Sequence, residues 1–223
     1  MTPPAAVLVD MDGLLVDTEP VWTVAEVELA RELGGEFTPD LKAAIVGTRL
    51  EVAVPTILRW YGGPTDPESV ARTSAWLLDR MVALFASPPA LLPGVPSLLS
   101  SLRSAGVPLA LVSSSYRVLV DAVLAHGTGP FDTTLAGDEV AQGKPHPEPY
   151  LTAAARLGVD PARCVVLEDS PAGVASGVAA GCGVVAVPSV PGVEFEPGPR
   201  LLVRSSLEGL SLSDLSALAT AAA

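Results

Sequence analysis

Asp10 and Asp12 stand two residues apart at the end of a short apolar run, Ala5-Ala6-Val7-Leu8-Val9. A second apolar run, Pro108 to Ser113, ends on Ser113, with Ser114 and Ser115 directly after it. A third, Cys164 to Glu168, ends on Glu168-Asp169. Lys144 lies in a Gly-Lys-Pro turn ahead of a helical pattern, and Lys42 is the only other lysine in the chain. Gathered on one edge, four acids, a hydroxyl and an ammonium suit phosphoryl transfer. A carboxylate can be the nucleophile and form an aspartyl-phosphate. A carboxyl two residues on can protonate the leaving oxygen and later activate water. Mg2+ takes oxygen ligands and often needs only one or two carboxylates beside substrate phosphate and water. A lysine and a hydroxyl neutralise charge on the phosphoryl oxygens in the transition state.

A parallel sheet would bring these residues together, because ligands of open parallel sheets bind beyond the carboxyl ends of the strands. The apolar runs have the length and bounds of strands buried on both faces. Besides the three above, Thr133 to Ala136, Gly183 to Val187 and the weaker Leu201 to Arg204 belong to the series. Helical patterns alternate with them: Val95 to Ala105 before Gly106, Arg117 to His126 before Gly127, Glu148 to Leu157 before Gly158, and Pro171 to Ala180 before Gly181. Helices that end at glycine between apolar strands make a βαβ series. The predicted fold is therefore α/β, a Rossmann-like parallel sheet with helices on both faces and right-handed crossovers. Residues 18–89 break the alternation. They hold no strand pattern, only helical periods over Val21 to Leu33, Leu41 to Ile45, Glu51 to Tyr61 and Glu68 to Phe85. The expected organisation is a core of residues 1–17 and 90–223 with a small all-helical domain, 18–89, inserted between hinges at Asp17 and at Ser87-Pro88-Pro89. The alanine-rich end, 217–223, reads as a frayed helix end.

Composition narrows the classes of partner. Thirteen basic residues against 25 acidic ones give a net charge of −12, which opposes bulk electrostatic binding to nucleic acid or to an anionic membrane. No apolar stretch approaches the ~20 residues that span a bilayer, and the opening MTPPAAVLVD lacks the basic segment of a secretory signal. Cys164 and Cys182 sit in apolar surroundings with no metal-binding spacing, which predicts two buried small hydrophobes. These features predict a cytoplasmic protein with no nucleic acid or membrane partner; a monomer or weak homodimer is the expected state.

The segment Val7-Leu8-Val9-Asp10-Met11-Asp12-Gly13-Leu14-Leu15-Val16-Asp17-Thr18-Glu19 resembles the first signature of the haloacid dehalogenase-like hydrolases, in its phosphatase form DxDGxxxDTE. Leu111-Val112-Ser113 resembles the second signature, Lys144 in GKPHPEPY the third, and Leu167-Glu168-Asp169-Ser170-Pro171-Ala172-Gly173 the fourth. All four occur in order over nearly the whole chain. The helical insert is similar to the cap of the subgroup in which the cap follows the first motif. The resemblance implies Asp10 as nucleophile and Mg2+ ligand, and Asp12 as general acid and base with its backbone carbonyl on the metal. It implies Asp169 as a direct ligand, and Glu168 as a ligand or as the group that orients metal-bound water. Ser113 and Lys144 would hold the phosphoryl group, with backbone amides of Met11, Asp12 and Ser114 as further contacts. Glu19, Trp22, Arg49 and Ser115 are candidate substrate contacts.

Within that family the presence of Asp12 speaks against dehalogenation, since a halide needs no proton to leave. A phosphonate-cleaving branch uses a cap lysine, but the DMDG first motif does not match it. Two readings remain: a phosphatase for a small phosphomonoester such as a sugar or polyol phosphate, or a β-phosphoglucomutase-like phosphomutase. Residues 18–89 contain no histidine, whereas such mutases typically carry one near the start of the first cap helix. The stretch Asp17-Thr18-Glu19-Pro20-Val21-Trp22 also resembles the sugar- and polyol-phosphate phosphatases. His126 and His146 read as structural, and Trp60 and Trp76 as core packing, like Trp22 if it does not meet substrate.

Overall fold

The computed structural model describes residues 2–46, 48–189 and 192–221. Two compact units emerge: Met1–Asp17 with Ala90–Ala223, and Thr18–Pro89.

The first unit is a six-stranded, all-parallel sheet with helices between its strands. Its strands are β1 (Ala6–Val9), β2 (Leu109–Val112), β3 (Thr133–Leu135), β4 (Cys164–Glu168), β5 (Gly183–Ala186) and β6 (Leu201–Val203), in the order β3-β2-β1-β4-β5-β6. The chain fills one side of β1 with β2 and β3, then returns to place β4 on the other side. β1 and β4 therefore flank the point where strand order reverses, which is where open α/β sheets bind their ligands. Their register sets Val9 against Leu167, so the residues just beyond, Asp10 and the Glu168-Asp169 pair, come to one edge. Continuous apolar sequence is what a doubly covered strand needs: β1, β2, β4 and β5 are buried along their whole length. Both free cysteines lie buried in the same apolar cluster as Leu8, Val112 and Val166.

The connecting helices are α5 (Val95–Ser104), α6 (Arg117–Leu124), α7 (Glu148–Leu157) and α8 (Pro171–Ala179). At the end of α7, Gly158 adopts φ 69°, a left-handed C-cap that costs a glycine little. A further helix, α9 (Leu212–Thr220), begins at Ser211, whose hydroxyl and the carboxylate of Asp214 make a reciprocal capping box. This corrects the reading of the alanine-rich end as frayed. Residues 217–220 are helical and packed through Leu218 and Ala219, and Ala222 and Ala223 lie outside the described residues. The signal was the Ser-x-x-Asp spacing.

The second unit is entirely helical among its described residues: α1 (Glu19–Glu32), α2 (Pro39–Ile45), α3 (Leu50–Trp60) and α4 (Pro67–Leu84). α1 packs on α4, α2 on α3, and α3 on α4, burying Leu29, Leu41, Val54, Ile57, Leu77 and Met81. Each helix starts one or two residues before the apolar period does. The cause in three of them is a proline in the first turn, whose missing N–H would be unpaired there in any case. Thr38 and Asp66 cap the second and fourth by accepting from the N–H groups of Leu41 and Ser69. The tryptophans depart from expectation too. Trp60 is 45% exposed at the end of α3, and Trp22 and Trp76 are only half-buried.

Candidate active site

Asp10 is fixed by the sheet. Its N–H donates to Leu167 O at 3.0 Å, which extends the β1–β4 ladder by one residue. The chain then turns sharply: Leu15 and Val16 N–H groups return to Met11 O, and Gly13 N–H donates to Val16 O. Gly13 takes φ +81°, and a Cβ there would stand 2.3 Å from Asp169 Oδ2. The DxDG turn and the β4 acids are thus packed so closely that only glycine fits.

Lys144 enters this edge with a side chain only 4% exposed. Its ammonium donates to Asp10 Oδ1 at 2.5 Å, Glu168 Oε1 at 2.6 Å and Val112 O at 3.1 Å. Three protons serve three acceptors on three neighbouring strands or their ends. Glu168 is fully buried and accepts on both oxygens. Oε1 takes Lys144 and the hydroxyl of Tyr150 at 2.7 Å. Oε2 takes the N–H of Asp169 and the N–H and Oγ of Ser170 at 3.0–3.1 Å. The first turn of α8 meets it through Gly173, where a Cβ would lie 1.7 Å from Oε1. Asp169 accepts from Ser189 Oγ at 2.5 Å.

The loop after β2 holds Asp12. Ser113 Oγ and Ser115 Oγ donate to Asp12 Oδ2 at 3.0 and 2.9 Å, while Ser115 N–H donates to Ser113 Oγ. Both hydroxyls expected at phosphate or substrate therefore also orient the second carboxyl of the first motif. Ser114 is exposed, and its carbonyl runs so close to Gly137 that a Cβ there would be 2.1 Å away.

Charge is the dominant feature of the site: four carboxylates, Asp10, Asp12, Glu168 and Asp169, face one ammonium. Burial pushes Asp10 well above the usual carboxylate range. Lys144 opposes that shift, while the Glu168, Asp169 and Asp12 charges add to it. Burial, then the Glu168 charge, raises Asp169 to about 7. For Glu168 burial acts upward too, but Lys144 and the hydrogen bonds outweigh it and hold the group below its ordinary value. Lys144 is raised despite burial by Asp10 and Glu168. Tyr150 is pushed well up by burial and by the Glu168 charge, so its hydroxyl stays a donor.

Such a surplus of buried negative charge suits a hard cation. One oxygen from each of Asp10, Glu168 and Asp169 lies within 4.8 Å of the others, and an all-oxygen donor set is what Mg2+ takes. The residues present fit that ion.

The bonds above form two groups at this edge: Asp12 with Ser113 and Ser115, and Asp10 with Lys144, Glu168, Tyr150, Asp169, Ser170 and Ser189. Glu19, Trp22 and Arg49 belong to the helical unit. There Glu19 forms an ion pair with Lys42 at 2.9 Å, and Arg49 stands 3.6 Å from Glu51. Gly47, beside the Arg49 loop, lies outside the described residues. Sequence reading missed Tyr150 and Ser189. Ser189 was findable, since it follows the β5 run by two residues on the same edge. Tyr150 was not, because a tyrosine early in an amphipathic helix reads as core.

Comparison with known proteins agrees with this geometry. The chain is 34% identical to hexitol phosphatase B of Escherichia coli (strain K12), over 94% of this chain and 96% of that protein. The crystal structure of CbbY from Rhodobacter sphaeroides in complex with phosphate is 30% identical and superposes with a TM-score of 0.80, covering 93% of this chain and 96% of that one. The structure of β-phosphoglucomutase from Clostridium difficile is 25% identical with a TM-score of 0.81, covering 97% of each chain. A family model described as haloacid dehalogenase-like hydrolase matches residues 4–181. With four motifs in order on one sheet edge and these relatives along nearly its full length, the chain belongs to the haloacid dehalogenase-like hydrolases.

Proposed function

We propose that this hydrolase is a Mg2+-dependent phosphatase of small phosphomonoesters, sugar or polyol phosphates, working through an aspartyl-phosphate on Asp10. The observation that carries the reading is the buried contact of Lys144 with Asp10 beside Glu168 and Asp169, four carboxylates in all for one ammonium. The likeness to hexitol phosphatase B supports the substrate class.

Asp10 Oδ attacks phosphorus, forming an O–P bond as the ester O–P bond breaks. Asp12 gives its proton to the leaving alcohol oxygen. Water then attacks the phosphorus of the aspartyl-phosphate, Asp12 takes the water proton, and the Asp10 O–P bond breaks to release phosphate. Lys144 and Ser113 offset charge on the phosphoryl oxygens and keep Asp10 and Asp12 aimed. Mg2+, when bound by the carboxylates of Asp10 and Asp169 and the carbonyl of Asp12, supplies Lewis-acid charge neutralisation. Glu19, Trp22, Arg49 and Ser115 are assigned the choice of alcohol.

The likeness to β-phosphoglucomutase favours a second reading, in which a sugar hydroxyl replaces water as acceptor. The absence of histidine from residues 18–89 speaks against it. One experiment separates the two: phosphate release from a panel of sugar, polyol, glycolate and nucleotide phosphates, with and without Mg2+, beside isomerisation of β-glucose 1-phosphate. Mg2+-dependent release, strongest on sugar or polyol phosphates, is the expected result. Isomerisation without release establishes the mutase instead.

A further inference from the structure

We propose that Cys164 and Cys182 are a cross-strand dithiol that closes into a disulfide, with Arg200 as the cation that supports the attacking sulfur. The pair lies at the opposite end of β4 from the carboxylates and has no part in the phosphatase reading.

Register brings the two free thiols together. β4 and β5 run parallel with Val165 opposite Gly183, so one step back Cys164 faces Cys182. Neighbouring strands stand about 4.8 Å apart, inside the range of roughly 4.4–6.8 Å that a disulfide spans between Cα atoms. Side chains alternate along a strand, and these two share a face. Cys164 with Val166, and Cys182 with Val184 and Ala186, enter one core cluster, while Val165, Leu167 and Val185 do not. A bridge also draws the Cβ atoms to about 3.8 Å. Cys182 is free to lean that far: it precedes β5, and its N–H donates to Gly177 O at 3.1 Å instead of to a neighbouring strand.

The third member is Arg200, which directly precedes β6. Its Nη2 donates to Ala162 O, and its Nε is the one buried side-chain nitrogen or oxygen without a partner among the described residues. A buried N–H left unpaired costs stability, and an anion beside it relieves that cost. Burial, and then Cys164, push the Cys182 thiol up to about 12, while Arg200 acts against both. Burial pushes Cys164 to about 11. Attack needs a thiolate, so the closed core keeps both groups as thiols. Reaction waits for local opening at β6, the edge strand, whose three residues are only half-buried. There the Cys182 thiolate, beside Arg200, attacks one sulfur of an organic disulfide such as oxidised glutathione, and one thiolate leaves. The Cys164 thiolate then attacks Cys182 Sγ, and the second thiolate leaves. The cysteine sulfurs give up two electrons to the organic disulfide, and the two thiol protons end on the released thiols. The bridge closes residues 164–182 into a loop that holds α8 and the Glu168-Asp169 pair.

The folded chain is held in oxidised glutathione for a day at about pH 8, where more thiolate is present. It is then denatured, alkylated and weighed by intact mass spectrometry. The chain has two cysteines, so mass alone separates the outcomes. The expected result is the loss of two hydrogens with no alkyl group taken up. Two alkylated thiols, lasting glutathione adducts or a disulfide-linked dimer each overturn the proposal. The oxidised chain should melt about 5 °C or more above the reduced one and fall back on addition of dithiothreitol. An oxidised chain that melts no higher than the reduced one shows a strained bridge and overturns a pair built to close. Cys164→Ala should show no rise on the same treatment; an equal rise there assigns the effect to something other than the bridge. Arg200→Gln should close roughly tenfold more slowly, as expected for loss of the cation beside a thiolate, and an unchanged rate removes Arg200 from the pair. No arm reads phosphate release, so failure here leaves the phosphatase reading standing, and failure of that reading leaves the bridge decided.

Discussion

The two units bury the same kinds of residue to different ends. In the helical unit Glu19, Glu26, Glu28 and Asp66 each have a partner. Lys42 reaches Glu26 and Glu19 from a neighbouring helix, each at 2.9 Å, Arg80 pairs with Glu28, and Asp66 caps its own helix. In the α/β unit four carboxylates crowd a single ammonium at the ends of neighbouring strands, and burial, with the neighbouring negative charges adding to it, pushes two of them up in pKa. Burial by itself therefore does not mark a site, since Glu26 is buried too, with an ordinary structural partner. Surplus charge marks it. A protein retains so costly an arrangement where a cation and a charged substrate relieve it.

The sharpest way to break this contrast is Asp10→Asn. Turnover should fall by about 10^4-fold or more, as expected for loss of a nucleophile, while the melting temperature holds or rises because a buried, strained charge has gone. An Asn variant with wild-type phosphate release would falsify the assignment. Removal of divalent cation with EDTA comes next. Phosphate release should drop to roughly 1% and return on addition of Mg2+, and activity that survives exhaustive chelation would remove the metal from the mechanism.

The surplus also predicts a pH dependence. Asp169 holds its proton more tightly in the folded protein, at about 7, than at its ordinary value of 3.8. That contribution to stability is complete below the unfolded value and is lost as pH rises through 7. The metal-free protein should lose this contribution between about pH 4 and 7, and Mg2+ should raise the melting temperature more at pH 8 than at pH 5, because proton and metal compete for one carboxylate. Equal Mg2+ stabilisation at both would contradict it. The smallest effect on function belongs to the helical unit. Lys42→Met strands the buried charge of Glu26 and should cost about 1–3 kcal/mol in chemical unfolding, with kcat changed by less than about twofold. A large loss of kcat at normal stability would show that Lys42 does more than hold α2 to α1.

Much of this was legible in the residues. The strand ends at Asp10, Ser113 and Glu168 could be read from apolar runs, because a strand covered on both faces must be apolar throughout and the polar residue that follows marks its edge. The helices of the helical unit start ahead of their apolar periods, because proline and capping residues precede the period they introduce. The Glu19–Lys42 pair and the exposure of Trp60 left no trace in periodicity, since each depends on which helix faces which. Tyr150 shows the same limit inside the site: its spacing announces a core residue, and only its neighbour in space makes its hydroxyl matter.

The sequence by itself determined the alternation of strands and helices, the helical insert, the order of the four motifs and the residue types able to move a phosphoryl group. Those are properties of local pattern, in which each apolar run or helical period is complete within a dozen or so residues. Only the tertiary structure decided that β4 lies against β1, that Lys144 meets an acid 134 residues away, and that Glu168 accepts from Lys144 and Tyr150 while Asp169 accepts from Ser189. These facts follow from the packing of apolar faces and the pairing of buried polar groups between distant segments, where the partner is set by topology and not by neighbours along the chain.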